Sequence, residues 1–168
     1  AAAGNPVHIA GVVLIASGSV HLPCYHGKLR WGIRLLTTLS GIVGPILGYF
    51  PGAQIGFGGR EAAGLMRDWS HVARTGEYRP VGSQLDYEQQ LRALDRAVLA
   101  ITFAADSWAP AQATQALLNK VTRCKPIHLH WDASETEGVA VDHYSWIKRP
   151  NLVASSIAQF MRQSKVRK

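Results

Sequence analysis

Cysteine is almost missing from this chain. Only Cys24 and Cys124 occur in 168 residues, far apart and without metal-type spacing. That excludes a disulfide-stapled scaffold and a cysteine-built zinc site, and it fits two buried thiols in a reduced compartment. Acidic residues are also scarce, 11 against 18 Lys and Arg, which leaves a formal net charge of +7. A surplus of that size brings nucleic acid into question, but the basic residues are scattered along the chain. The one cluster, Lys165 to Lys168, has the character of a solvated end, so no nucleic-acid partner is expected. Charged residues make up only 17% against 47% hydrophobic, a globular balance that excludes intrinsic disorder. There is no internal repeat, no low-complexity tract and no legible signal peptide at Ala1, so a cytoplasmic location is expected.

No long apolar stretch is uninterrupted either. Ile33 to Phe50 approaches the length of a membrane span, but it contains Arg34, Gly41, Gly44, Pro45 and Gly48. A helix from Leu29 to about Gly48, broken near Pro45, is expected here as part of a cap rather than as a membrane anchor.

What is present is a repeating order of short apolar runs and amphipathic stretches. Ile9 to Ala16 (IAGVVLIA) is nearly continuous and rich in β-branched residues, as a strand buried on both faces of a parallel sheet would be. Ala97 to Phe103 (AVLAITF) has the same character, and Pro126 to Trp131 (PIHLHW) is a third strand. Helical patterns cover Arg60 to Thr75, with Leu65, Met66, Trp69 and Val72 on the apolar face and Gly76 as a stop. They also cover Tyr87 to Leu94, Pro110 to Val121, and Asn151 to Gln163, the last with Leu152, Val153, Ile157, Phe160 and Met161. Pro51 to Gly59 reads as a Gly-rich loop, and Asp132 to Asp142 as an acidic one. Strand, long helical insertion, strand, helix, strand, helix implies an α/β fold with a parallel sheet. Ala1 to Pro6 reads as the last turn of a helix, so the chain is expected to begin inside a larger structure.

In such sheets reactive groups gather at the carboxyl ends of the strands. Two residues meet that condition. Asp106 follows the second strand, four residues before Pro110; its plain structural role is a helix cap or a turn. His143 follows the third strand and the acidic loop, just before the last helix. Taken singly each is commonplace. Together they place a carboxylate and an imidazole at one edge of the sheet, as proton relay from a serine hydroxyl requires.

These segments resemble the C-terminal part of the α/β-hydrolase superfamily. Val98 to Ile101 through Asp106 to Pro110 resembles the acid-bearing strand with its D-x-x-x-P ending, and His143 matches the base position. Val12 to Ser17 resembles the strand after the nucleophile helix. Gly56 to Glu61 with Met66 to Trp69 resembles a group of predicted bacterial α/β-hydrolases. The resemblance implies a partial α/β-hydrolase fold in three parts. Residues 1–21 would close the nucleophile helix and supply a core strand, 22–96 would form a helical cap, and 97–168 would carry acid, base and last helix. It implies a serine hydrolase acting on an ester, thioester or amide with an apolar acyl group, with Asp106 and His143 catalytic and no cofactor. Trp108 and Tyr144 are expected near the substrate because they neighbour these two residues. Three positions depart from the usual pattern: Asp142 in place of Gly before the histidine, Phe103 in place of Gly before the acid, and Ala97 in place of Pro. No G-x-S-x-G occurs anywhere, so the nucleophile elbow and the oxyanion-hole loop are expected upstream of Ala1, in the missing N-terminal part of the same fold. The alternative is a non-catalytic fragment or interaction module.

Other signals carry less. His128 and His130 share a strand face, a spacing that suits a metal pair, with Asp132 as a conceivable third ligand; two satisfied strand histidines are expected instead, and no metal site is assigned. The glycines from Gly56 to Gly64 lack the G-K-[ST] of a phosphate loop and suit a turn or hinge. Ser17 and Ser19 end the first strand without the sharp strand-to-helix turn of a nucleophile.

Overall fold

A computed structural model describes the backbone of residues 9–166 and the side chains of residues 9–163. The helix end expected over Ala1 to Pro6 and the basic side chains of the tail lie outside the described residues. In chain order the elements are β1 (Gly11–Ile15), α1 (Gly27–Leu47), β2 (Tyr49–Pro51), β3 (Arg60–Ala62), α2 (Ala63–Thr75), α3 (Tyr87–Ala93), β4 (Ala97–Phe103), α4 (Ala111–Leu118), β5 (Ile127–Trp131) and α5 (Pro150–Val166). The chain divides into two compact units, one of Ala1–Gly18 with Gln89–Lys168, the other of Ser19–Glu88.

The first unit is an α/β structure around a parallel sheet ordered β1-β4-β5. The strand β4 is central, in register Gly11 with Ala97 on one side and Leu99 with Ile127 on the other. Alternation along β4 sends Leu99, Ile101 and Phe103 into a cluster with Val141, Val153 and Phe160. Val98 and Ala100 point the other way, onto Leu118 and Val121. Six of its seven residues are buried, as a continuous apolar run predicts. The expectation of full burial fails for β1, whose five residues are all half-buried. It is an edge strand among the described residues, with its second edge unpaired. On α5 the buried stripe is Val153 and Phe160, flanked by Ile157; Met161 is one residue off that stripe and exposed.

In the second unit α1 lies against α2 through small and polar side chains. Ser40 and Ser70 share a hydrogen bond of 2.6 Å, and Gly44 faces Ala63. The apolar residues Trp31, Leu35, Ile42 and Ile46 lie on its exposed side. Helix α1 does not break at Pro45 but runs to Leu47 and caps on Gly48 at φ 74°. Pro45 sits in the last turn, so it forfeits only the bond to the carbonyl of exposed Gly41, which water can satisfy. The stretch read as a loop from Pro51 to Gly59 connects the two strands of a short antiparallel hairpin, β2 with β3, through a 3-10 turn at Gly52–Ile55; only Pro51 of it belongs to a strand. Three-residue strands are too short to show a period. Gly52 is required there, because a Cβ would collide with the Phe57 carbonyl. Helix α2 therefore begins at Ala63 rather than Arg60, with Met66, Ser70 and Ala73 inside; Leu65, expected on the apolar face, is 59% exposed. Among the described residues no helix is long and apolar enough to cross a membrane.

Two glycines separate close packing from backbone freedom. A Cβ on Gly18 would lie 2.7–2.8 Å from the backbone of Ala113 and Thr114 at the start of α4, whereas one on Gly32 in α1 meets nothing within 4 Å. Gly18→Ala is expected to cost about 1–3 kcal/mol through overpacking, and Gly32→Ala to add up to about 1 kcal/mol through helix propensity. Urea unfolding of the two variants reads both signs.

Candidate functional site

Asp106 stands at the exit of β4. The chain turns there through the Asp106 N–H donating to the Phe103 carbonyl at 3.0 Å. Its side chain is fully buried. Oδ1 accepts the backbone N–H groups of Trp108 and Ala109, both at 2.9 Å, which shapes the approach to α4. Oδ2 lies 3.0 Å from His143 Nδ1. An ionised carboxylate only accepts, so Nδ1 carries the proton and donates. The turn role and the partnership with histidine, weighed as alternatives from sequence, therefore coexist on separate oxygens of one carboxylate, while α4 itself starts from Pro110 without a side-chain cap.

His143 reaches this position from the segment after β5. Thr136 closes the intervening loop, its hydroxyl lying 2.9 Å from the Asp132 carbonyl and 2.5 Å from that of Val139. Val141 then plugs into the core beside Phe103. The imidazole is 27% exposed, and among the described residues its Nε2 makes no hydrogen bond. It faces the Tyr144 ring edge-on, with centroids 4.8 Å apart and planes at 88°. Trp108 and Tyr144 are both largely exposed beside this pair. An imidazole with Nδ1 tied to a buried carboxylate and Nε2 open is arranged to take up a proton at Nε2 and to be stabilised once charged.

Sequence reasoning noted Asp142 only as a departure before the histidine, without a role, and passed over Ser145. Asp142 Oδ1 accepts from the N–H groups of Tyr144 at 3.1 Å and Ser145 at 2.8 Å, and Ser145 Oγ accepts from the Asp142 N–H at 2.8 Å. The three-residue spacing of an acid and a hydroxyl, as in a reciprocal cap, was the available signal.

The remaining candidates lie elsewhere. His128 and His130 converge on one buried hydroxyl, with Thr102 Oγ1 3.0 Å from His128 Nε2 and 2.9 Å from His130 Nδ1. The amide of Gln115 is oriented by its Nε2 donating to Asn119, which leaves Oε1 to accept from His128 Nδ1. The chain of donors then runs from His130 through Thr102 to His128 Nε2. Asp132 does not join them; its Oδ1 holds the backbone and hydroxyl of Ser134. Among the described residues no group of three His, Cys, Asp or Glu side chains could hold a metal ion. Cys24 is buried and Cys124 only half-buried, and both are free. In the Gly56 to Gly64 run, Glu61 already accepts the Gly59 N–H at 2.7 Å, so a carboxylate occupies an amide that a phosphate loop would offer. Trp69 packs on Phe57. The Ser17 hydroxyl is turned back onto the Ile15 carbonyl at 2.8 Å, and Ser19 is buried.

Burial, and secondarily the neighbouring His130, push the His128 imidazole below its ordinary value. Its folded pKa lies below the unfolded one, so the unfolded chain binds more protons. Stability from this group is full above the unfolded value and is lost as pH falls through the folded one. The melting temperature is expected to drop between pH 7 and pH 5 more steeply for the wild type than for His128→Gln; equal slopes in thermal melts would refute this.

No protein-family profile and no curated protein matches the sequence. Among solved structures the chain is similar to BpoC of Mycobacterium tuberculosis H37Rv, provisionally named a non-heme bromoperoxidase. The TM-score is 0.52 at 15% identity, over 96% of this chain and 61% of that one. It is also similar to Rv0554 of Mycobacterium tuberculosis, with a TM-score of 0.48 at 14% identity, over 96% and 59% of the two chains. The first likeness shows the fold: a partial α/β-hydrolase fold, spanning about three-fifths of the neighbour's length.

Proposed function

We propose that this chain is the C-terminal portion of a serine hydrolase in which Asp106 is the acid and His143 the base of a Ser-His-Asp triad. The observation that supports it is the 3.0 Å contact between His143 Nδ1 and the buried carboxylate of Asp106, with Nε2 left open. In this reading a serine supplied from upstream attacks the carbonyl of an ester, thioester or amide. His143 Nε2 takes the hydroxyl proton and later gives it to the leaving group, while Asp106 fixes the tautomer and stabilises the imidazolium. The exposed rings of Trp108 and Tyr144 suit an apolar acyl group beside the reacting centre. No metal or organic cofactor takes part in this scheme.

The lack of any G-x-S-x-G in the 168 residues favours a second reading, a non-catalytic module with a hydrolase-like fold. A fluorophosphonate probe separates the two. The 168-residue chain is expected not to label. A chain extended upstream of Ala1 is expected to label at a G-x-S-x-G serine, with His143→Ala or Asp106→Asn slowing turnover of a p-nitrophenyl ester by about 10⁴-fold. Undiminished turnover in His143→Ala would remove the triad, and an upstream sequence without such a serine would leave the non-catalytic module.

A further inference from the structure

The base of a triad works only if its ring is held, and His143 sits on a segment without regular strand or α-helix. Upstream, Val141 is buried in the core; downstream, Trp146 packs against the same cluster. Between these anchors three hydrogen bonds close the backbone around the histidine. Asp142 Oδ1 accepts from the N–H groups of Tyr144 and Ser145, and Ser145 Oγ accepts from the Asp142 N–H. Each bond spans the peptide that carries His143 or the one beside it. A glycine at this position would have no side chain to make two of the three. The bonds from Ser145, backbone first and hydroxyl second, and then from Tyr144, hold the Asp142 carboxyl below the usual carboxylate range, so it stays an acceptor at neutral pH.

We infer that Asp142, clasped with Ser145, is a positioning residue that holds the His143 ring against Asp106. This rests on the acid–base reading of Asp106 and His143. The clamp touches neither Asp106 nor the open Nε2. It acts by restricting the φ and ψ of the residue bearing the imidazole, so that the 3.0 Å Nδ1–Oδ2 geometry persists without the ring first having to be ordered.

The test reads the imidazole directly in the 168-residue chain. Long-range proton–nitrogen spectra of histidine-labelled protein identify the Nδ1–H tautomer of His143, and saturation transfer from water measures how fast its Nδ1 proton exchanges. Asp142→Ala and Asp142→Gly are expected to accelerate that exchange about tenfold, by loss of bonds to a charged acceptor. Asp142→Asn, which keeps the Oδ1 acceptor, is expected to restore the wild-type rate. Ser145→Ala accelerates exchange in the same direction and serves if Asp142→Ala folds poorly. The His130 Nδ1 proton, held by Thr102 in the sheet, reports an intact fold in every variant. Exchange in Asp142→Ala within twofold of wild type would overturn the clamp. Asp106→Asn separates the two ideas. If it leaves the His143 signal unchanged, the acid–base pair itself is wrong. If it abolishes the signal while Asp142→Ala does not alter it, only the positioning role falls.

Discussion

The parallel pairing of β4 between β1 and β5 is the constraint on which the first unit rests. Leu99 and Ile101 have partners on both sides, and side chains of β4 are buried on both faces. Each such apolar side chain contributes about 1.5–3 kcal/mol on burial, and the ladder bonds leave its backbone groups satisfied. Because all three strands run the same way, their carboxyl ends come to one rim. Asp106 leaves that rim directly after β4, and the segment after β5 returns to it with His143. The 3.0 Å contact between them is a consequence of strand direction before it is a property of either residue.

At that rim the two oxygens of Asp106 divide between the backbone and the imidazole. One oxygen satisfies two backbone donors ahead of α4, and the other receives the imidazole. A buried carboxylate needs such partners, since desolvation without them is costly. The two backbone donors hold one oxygen, which orients the other toward the imidazole. A comparable economy occurs among the histidines of β5. One threonine hydroxyl, which has a single proton, donates to one ring and accepts from the other, and the Gln115 amide at His128 Nδ1 decides which.

A likeness of fold at 15% identity does not carry chemistry with it, since one fold hosts many activities. What bears on function here is the arrangement of particular atoms: a protonated Nδ1, an open Nε2, and exposed aromatic rings alongside. Gly18 admits the start of α4 against the turn after β1, and Thr114 Oγ1 then donates to the Ser17 carbonyl at 2.7 Å.

Legibility followed the length of the pattern. The run from Ala97 to Phe103 is a strand end to end, and the helix stop at Gly76 is a left-handed cap, because an apolar run and a glycine's φ are local properties. The α/β class and the shared rim for Asp106 and His143 also followed from element order and strand direction alone. Leu65 and Met161 each fell one residue off the buried stripe, since a helix face is chosen by what packs against it and not by hydropathy. The hairpin of β2 and β3 was invisible because three residues cannot display a period. The half-burial of β1, the hydroxyl shared by His128 and His130, and the bonds of Asp142 with Ser145 were decided only in three dimensions. Edge position and exact hydrogen-bond partners depend on atoms brought together from separate stretches of chain, and no spacing along one strand or loop encodes them.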